Sequence, residues 1–169
     1  PVVGGTTGCI APGPIRVRKR DKVLKGRQPA PGWDARYDWV GFVPVEALPQ
    51  RLNPPEGRIV TANHKGDPDD NGPYLTSEWA APFRARRIEE LLDATPRHDV
   101  ASFAKIQGDL RSLVAVQLLS VLLKTPPSND AAKPVIARLS AWGGTMSADR
   151  PEPLTFRPAI PDLARLCPP

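Results

Sequence analysis

The stretch Tyr37-Asp38-Trp39-Val40-Gly41-Phe42-Val43-Pro44 joins aromatic and β-branched residues in a pattern that favours a strand, and Pro44, which cannot donate to a ladder, ends it. Val45 to Leu48 has room for one helical turn. Beyond the turn-forming Asn53-Pro54-Pro55-Glu56-Gly57, the run Arg58-Ile59-Val60-Thr61-Ala62 is β-branched again and bounded by turn residues, so it reads as a buried strand with Asn63 at its exit. Lys65 to Pro73 is packed with Gly, Pro, Asp and Asn, which takes the backbone out of a sheet and over the surface as a loop. Upstream, residues 1 to 36 read as loop, with strand-like patches at Ile15 to Val17 and Val23 to Leu24.

Downstream the period changes to that of helices. Ser77 is a candidate cap for a helix to about Ala94, in which Trp79, Phe83, Ile88, Leu91 and Leu92 approximate one apolar face before Thr95-Pro96 stops it. Asp99 is positioned to cap a second helix. Leu110 to Leu123 is apolar nearly all round, so it needs cover on most sides, and exposure would make the isolated chain poorly soluble. Ser128-Asn129-Asp130 opens a further helix to about Trp142, broken by Gly143-Gly144, and the proline-rich tail after Arg150 has weak structure signals. Strands that end at Asn63 and helices between Ser77 and Trp142 make an α+β chain.

The 169 residues are enough for one ordinary domain, and 22 prolines with 13 glycines favour long irregular connections. A formal charge of +5 is concentrated in Arg16, Arg18, Lys19, Arg20, Lys22, Lys25 and Arg27. That basic run has no zinc-ligand spacing, heptads or aromatic RNA-binding signature beside it, so a solvated loop is preferred to a nucleic-acid partner. Cys9 and Cys167 stand near opposite ends and define neither a disulfide framework nor a metal site. No apolar run reaches the roughly 18 residues that span a bilayer, so no membrane partner is expected. Residues 1 to 8 lack the pattern of a signal peptide, and the initial Pro1 is expected to lie inside a longer reading frame or after a cut.

A set of motifs in fixed order adds to this reading. Tyr37 to Pro44, Leu48-Pro49 and Asn53 to Asn63 are followed by Glu78-Trp79-Ala80-Ala81-Pro82-Phe83-Arg84-Ala85-Arg86-Arg87-Ile88. Then come Gln107-Gly108-Asp109 with Ser112, Trp142-Gly143-Gly144-Thr145-Met146 and Asp149-Arg150-Pro151-Glu152-Pro153-Leu154. Together these resemble the penicillin acylase family of amino-terminal nucleophile hydrolases over about residues 8 to 156, leaving the tail 157–169 unassigned. The resemblance implies an internal piece of the β-subunit region and a fragment of a four-layer αββα fold. It further implies amidase chemistry on linear amides, such as the acyl side chain of a β-lactam or an acyl-homoserine lactone.

In that family a precursor cuts itself, and the new amino-terminal Ser attacks the amide while its own α-amine acts as base. Pro1 has no hydroxyl, so the nucleophile is expected outside this chain, which by itself is expected to be inactive. By resemblance, Asn63 matches the oxyanion-hole Asn, whose amide donates to the developing negative charge; read locally, an Asn there also suits a simple turn. Arg84 matches the active-site Arg, with Arg86 as a less favoured substitute and an exposed helical arginine as the plain reading. His64 invites a base or metal role, but His98 lies across a helix without ligand spacing, so neither is expected to be the base.

No cofactor is expected for the chemistry. A structural calcium ion accompanies the family, yet Pro73 or Tyr74 stands where its acidic ligand from this loop region falls, and Asp67, Asp69 and Asp70 suit a solvated loop better than a cation site. The expected partners are the remaining α- and β-subunit segments and a small-molecule amide, and relatives imply a periplasmic location. Gly143 departs from the family's Trp-Asp-Gly pattern, and the residues after Leu154 stop resembling it. With the nucleophile absent, a noncatalytic scaffold of the same shape is the competing reading.

Overall fold

The computed structural model describes residues 5–18, 28–66, 72–127 and 129–159. It divides after Ala80 into two compact units. In the first, β1 (Gly8–Ile10) pairs antiparallel with β4 (Gln50–Leu52), placing Gly8 opposite Leu52 and Ile10 opposite Gln50. Asn53 lengthens this pairing from both sides: its N–H donates to the Thr7 carbonyl at 2.7 Å, and its Oδ1 accepts from the Thr7 N–H at 2.8 Å. β2 (Arg16–Arg18) pairs antiparallel with β3 (Trp39–Phe42), with a register irregularity between Val17 and Arg18. The Arg16 guanidinium lies 3.5 Å from the centre of the Trp39 ring, a cation–π contact across the two strands.

Two outcomes in this unit differ from the sequence reading. Arg58 to Ala62 is half-buried over Arg58, Ile59 and Val60, and Ala62 is buried, but the segment pairs with no described strand. β-branching reports the burial of an extended chain; the ladder needs a neighbour, which local sequence does not supply. β4 was not anticipated, because Gln50-Arg51-Leu52 has a polar, exposed pattern and is a strand through its pairing with β1. The patch Val23 to Leu24 lies outside the described residues, whereas Ile15 to Val17 overlaps β2 and Val45–Ala47 forms the expected turn as a 3₁₀ helix.

The second unit is helical. α1 (Phe83–Asp93) begins five residues later than the Ser77 cap implies. Proline disfavours helical backbone in the residue before it, so a helix cannot pass through Ala81-Pro82 and starts just beyond. α2 (Val100–Gln107) starts at Asp99 as expected, in a full capping box with Ser102. α3 (Leu113–Leu122) is capped by Ser112, whose Oγ accepts from the Ala115 N–H at 3.2 Å. α4 (Ala132–Ser140) ends two residues before Trp142, and Asn129 Oδ1 accepts from the Ala132 N–H at its start.

The segment after Arg150, read as weakly structured, instead forms α5 (Glu152–Phe156) and a 3₁₀ turn, Arg157–Ala159. Proline suits the first turn of a helix because its missing N–H has no partner to lose there. Phe156 explains why this tail is ordered: it is fully buried and its ring meets Trp142 at 5.2 Å between centroids. These two join Ala115, Leu118, Leu119 and Leu139 in one core, while Val121 on α3 and Leu123 just past its end stay exposed. Cover therefore comes to one side of α3, less than its composition asks for.

Gly144 sets the approach of the 142–146 loop to α3. Its φ is +82°, its carbonyl accepts from the Ser112 N–H at 2.9 Å, and an added Cβ would stand 2.9 Å from Val116 Cγ2. Gly143 has open space around its Cα. Gly144→Ala should therefore cost about 1–3 kcal/mol through strain and overlap. Gly143→Ala should stay within about 0.5 kcal/mol of the parent. Denaturant unfolding of both variants checks this, and equal effects would contradict it.

Candidate active site

The main chain between Ala62 and Ala80 sets Asn63. Ala62 is buried, Asn63 turns with φ +60°, and the Asn63 carbonyl accepts from the Ala80 N–H at 2.8 Å. Left-handed backbone is costly for most L-residues and least so, after Gly, for Asn and Asp. The Ala80 N–H is thereby satisfied outside any helix, and the late start of α1 follows from Pro82. The result is an exposed Asn side chain on a main chain fixed at the carbonyl and at the preceding residue. An amide donor held this way suits an oxyanion, because it needs little reorganisation when charge develops.

Arg84 belongs to the second unit, on the first turn of α1, and is exposed. That turn carries no acidic residue. Cations next to a helix N-terminus oppose the helix dipole, so Arg84 and Arg86 are not placed there for helix stability. Arg86 is also exposed. Arg87 differs from both: it is half-buried and donates from Nε and Nη2 to the two carboxylate oxygens of Asp109, at 2.9 and 2.8 Å, and from Nη1 to Glu90 at 3.0 Å. This bidentate pair fastens α1 to the turn between α2 and α3, close to where the helix presents Arg84.

The pair was not anticipated, although both of its members stand in quoted motifs. The i, i+3 spacing of Arg87 and Glu90 signals only that local contact, and nothing in the sequence around either residue points to Asp109. Asp109 also accepts from the Arg111 N–H at 3.3 Å, which accounts for the Gln107-Gly108-Asp109 motif as the turn into α3. The Arg87 hydrogen bonds are the main reason that the Asp109 carboxyl sits below the usual carboxylate range, with desolvation acting against them.

Both histidines have structural positions. His98 spans the α1–α2 turn, with Nε2 2.9 Å from the Leu92 carbonyl and Nδ1 3.3 Å from Ser102 Oγ. The fourth residue after Leu92 is Pro96, which has no N–H to offer, so the imidazole replaces the missing helical donor. His64 is half-buried, and its Nδ1 is enclosed without a hydrogen-bond partner among the described residues. Among those residues, no group of three or more His, Cys, Asp or Glu is arranged to hold a metal ion. Pro73 and Tyr74 carry no carboxylate, and Asp67, Asp69 and Asp70 lie outside the described residues.

Asp109→Asn should lower stability at pH 7 by about 1–3 kcal/mol, since it leaves the buried face of Arg87 without its charged acceptor. The sign with pH follows from the lowered carboxyl: its contribution is present above the unfolded value near pH ~3.9 and disappears as pH falls through the folded one. The gap between parent and variant in denaturant titrations should therefore close on the acid side. A gap of constant size from neutral to strongly acid pH would contradict this.

Comparison with known proteins brings these observations together. The family model described as penicillin amidase matches residues 3–167. The chain is 36% identical over 148 residues to the penicillin acylase 2 proenzyme of Pseudomonas sp. (strain SE83), a match that covers 86% of this chain and 19% of that protein. It is 38% identical over 94 residues to the acyl-homoserine lactone acylase QuiP of Pseudomonas aeruginosa, covering 56% of this chain and 11% of that one. Among solved structures it superposes on a thermostable penicillin G acylase from Alcaligenes faecalis with a TM-score of 0.62 at 24% identity, covering 86% of this chain and 26% of the other. That likeness shows the fold: an α+β piece of the amino-terminal nucleophile hydrolase architecture. The chain spans about a fifth or less of the length of these curated relatives.

Proposed function

Since the chain belongs to the penicillin amidase family and is an acylase-type hydrolase by its relatives, we propose that it supplies the oxyanion donor and a positioning arginine to an enzyme that cleaves linear amide bonds. The nucleophilic Ser comes from a part of the acylase outside this chain. Its hydroxyl oxygen adds to the amide carbonyl carbon as its proton passes to the α-amine, and the carbonyl π electrons move onto oxygen. The Asn63 side-chain N–H donates to that oxyanion. Collapse expels the amine, which takes up the proton and leaves an acyl-enzyme for water to hydrolyse. Arg84 orients the surroundings of the nucleophile and the substrate. No step passes through a metal ion.

The observation that supports this reading best is the left-handed, carbonyl-anchored backbone of Asn63 with its exposed amide. A residue chosen for a turn alone is best served by Gly, whereas an oxyanion donor needs the side chain. The relatives' names point to two substrate classes, the acyl side chain of a β-lactam and an acyl-homoserine lactone. Both present a linear amide with an acyl tail and a cyclic amine portion, and we assign the acyl pocket mainly to segments outside this chain.

The test uses the full-length, matured acylase and a chromogenic acyl amide. Asn63→Gly keeps the backbone conformation accessible and removes the donor, so kcat should fall about 10²- to 10³-fold with KM little changed, and Asn63→Ala should fall at least as far. Arg84→Ala should lower kcat/KM by about tenfold or more, the size of a lost charged hydrogen bond, while Arg86→Ala stays within about twofold. Full turnover in Asn63→Gly would remove the catalytic reading and leave a scaffold.

A further inference from the structure

Arg84 stands one helical turn from a cluster of charges that the proposed chemistry leaves unused. Residues three apart are neighbours on one face of a helix, so the Arg84 side chain leaves α1 beside that of Arg87, whereas Arg86 leaves it on another side. Two cations placed that way repel each other. Arg87 is kept from acting as a bare cation there by Asp109, which accepts from it at 2.9 and 2.8 Å, and by Glu90, which accepts at 3.0 Å. Of the two carboxylates Asp109 is the more enclosed, 19% exposed against 50% for Glu90, so solvent screens it less.

Asp109 is in turn held from behind. The Arg111 N–H donates to its Oδ2 at 3.3 Å, the Met146 N–H donates to the Leu110 carbonyl at 2.9 Å, and the Ser112 N–H donates to the Gly144 carbonyl at 2.9 Å. Every one of these residues lies in the second unit. Three of the ordered motifs, at 142–146, 107–109 and 84–88, are thus joined by one run of backbone and hydrogen bonds that ends a turn away from Arg84.

We propose that Asp109 is a positioning residue for the amidase reaction: through Arg87 it fixes the place and the electrostatic surroundings of Arg84. The inference rests on the assignment of Arg84 as the arginine that orients nucleophile and substrate, and Asp109 itself touches neither. Without the Asp109 carboxylate, Arg87 keeps only its bond to the exposed Glu90 as a charged one, and its guanidinium is freed beside Arg84. Arg84 then shifts from the orientation that the reaction uses, and a misplacement of about 1 Å at an active site is enough to slow turnover.

The test measures kcat/KM per titrated active site in full-length, matured acylase, with Asp109→Asn made in the parent and in Arg84→Ala. Asp109→Asn should lower kcat/KM about threefold to tenfold in the parent and less than about 1.5-fold in Arg84→Ala, where no Arg84 is left to misplace. A merely structural role would act by the same factor in both backgrounds. Arg87→Lys, which keeps the charge but not the fork, should cost about twofold or more with the same dependence on Arg84, and it decides the matter if Asp109→Asn does not mature. An equal loss in both backgrounds, or parental kcat/KM in the parent background, overturns the proposal. If Arg84→Ala itself keeps parental kcat/KM, the assignment of Arg84 fails and this inference with it. If Arg84→Ala loses about tenfold or more while the Asp109 and Arg87 variants show no dependence on it, only this inference fails.

Discussion

The backbone of Asn63 is the constraint on which the candidate oxyanion donor depends. A φ of +60° is tolerated there because the carbonyl is held by the Ala80 N–H and the preceding Ala62 is buried. Further on, Pro82 disfavours helical backbone at Ala81 and delays α1 to Phe83. Two local rules thus determine where the loop from Asn63 ends and where the helix that presents Arg84 begins. Strain at Asn63 and a cation on the first turn of α1 both run against local stability. Proteins tolerate such departures most often where function asks for them.

Elsewhere stability comes from ordinary sources. The second unit has a real core, in which Trp142 and Phe156 pack beside Leu118, Leu119 and Leu139, and Gly144 lets the 142–146 loop close on α3. The Arg87–Asp109 pair adds a directional tie between α1 and the entry to α3. The first unit is leaner: Leu48, Pro54 and Ala62 are buried, while Trp39, Val40 and Phe42 on β3 are each more than half exposed. Two-stranded ladders of this kind are marginal in water, which agrees with a chain that spans a small part of its relatives.

Much of this was legible in the sequence, and the exceptions share a cause. The capping signal at Asp99 worked because side chain and backbone act within a few residues there. The β-branched run into Asn63, read as a buried strand, is half-buried over Arg58, Ile59 and Val60 with Thr61 exposed and pairs with no described strand, because pairing depends on a neighbour remote in sequence. β4 and α5 were missed for the same reason: one is a strand through β1, and the other is ordered by Phe156 in a distant core. Asn63 and Arg84 stood out through the order of motifs and not through local chemistry. The Arg87–Asp109 pair escaped because its partners are 22 residues apart.

The most direct measurement of the central claim is inhibitor affinity in full-length, matured acylase and its Asn63→Gly variant. One ligand forms a tetrahedral adduct with the nucleophile and so presents an oxyanion, and the other is the acid product, which does not. An oxyanion donor predicts that the variant loses about 10²- to 10³-fold in affinity for the tetrahedral adduct and almost nothing for the product. Equal affinities of parent and variant for the tetrahedral ligand would contradict the assignment of Asn63.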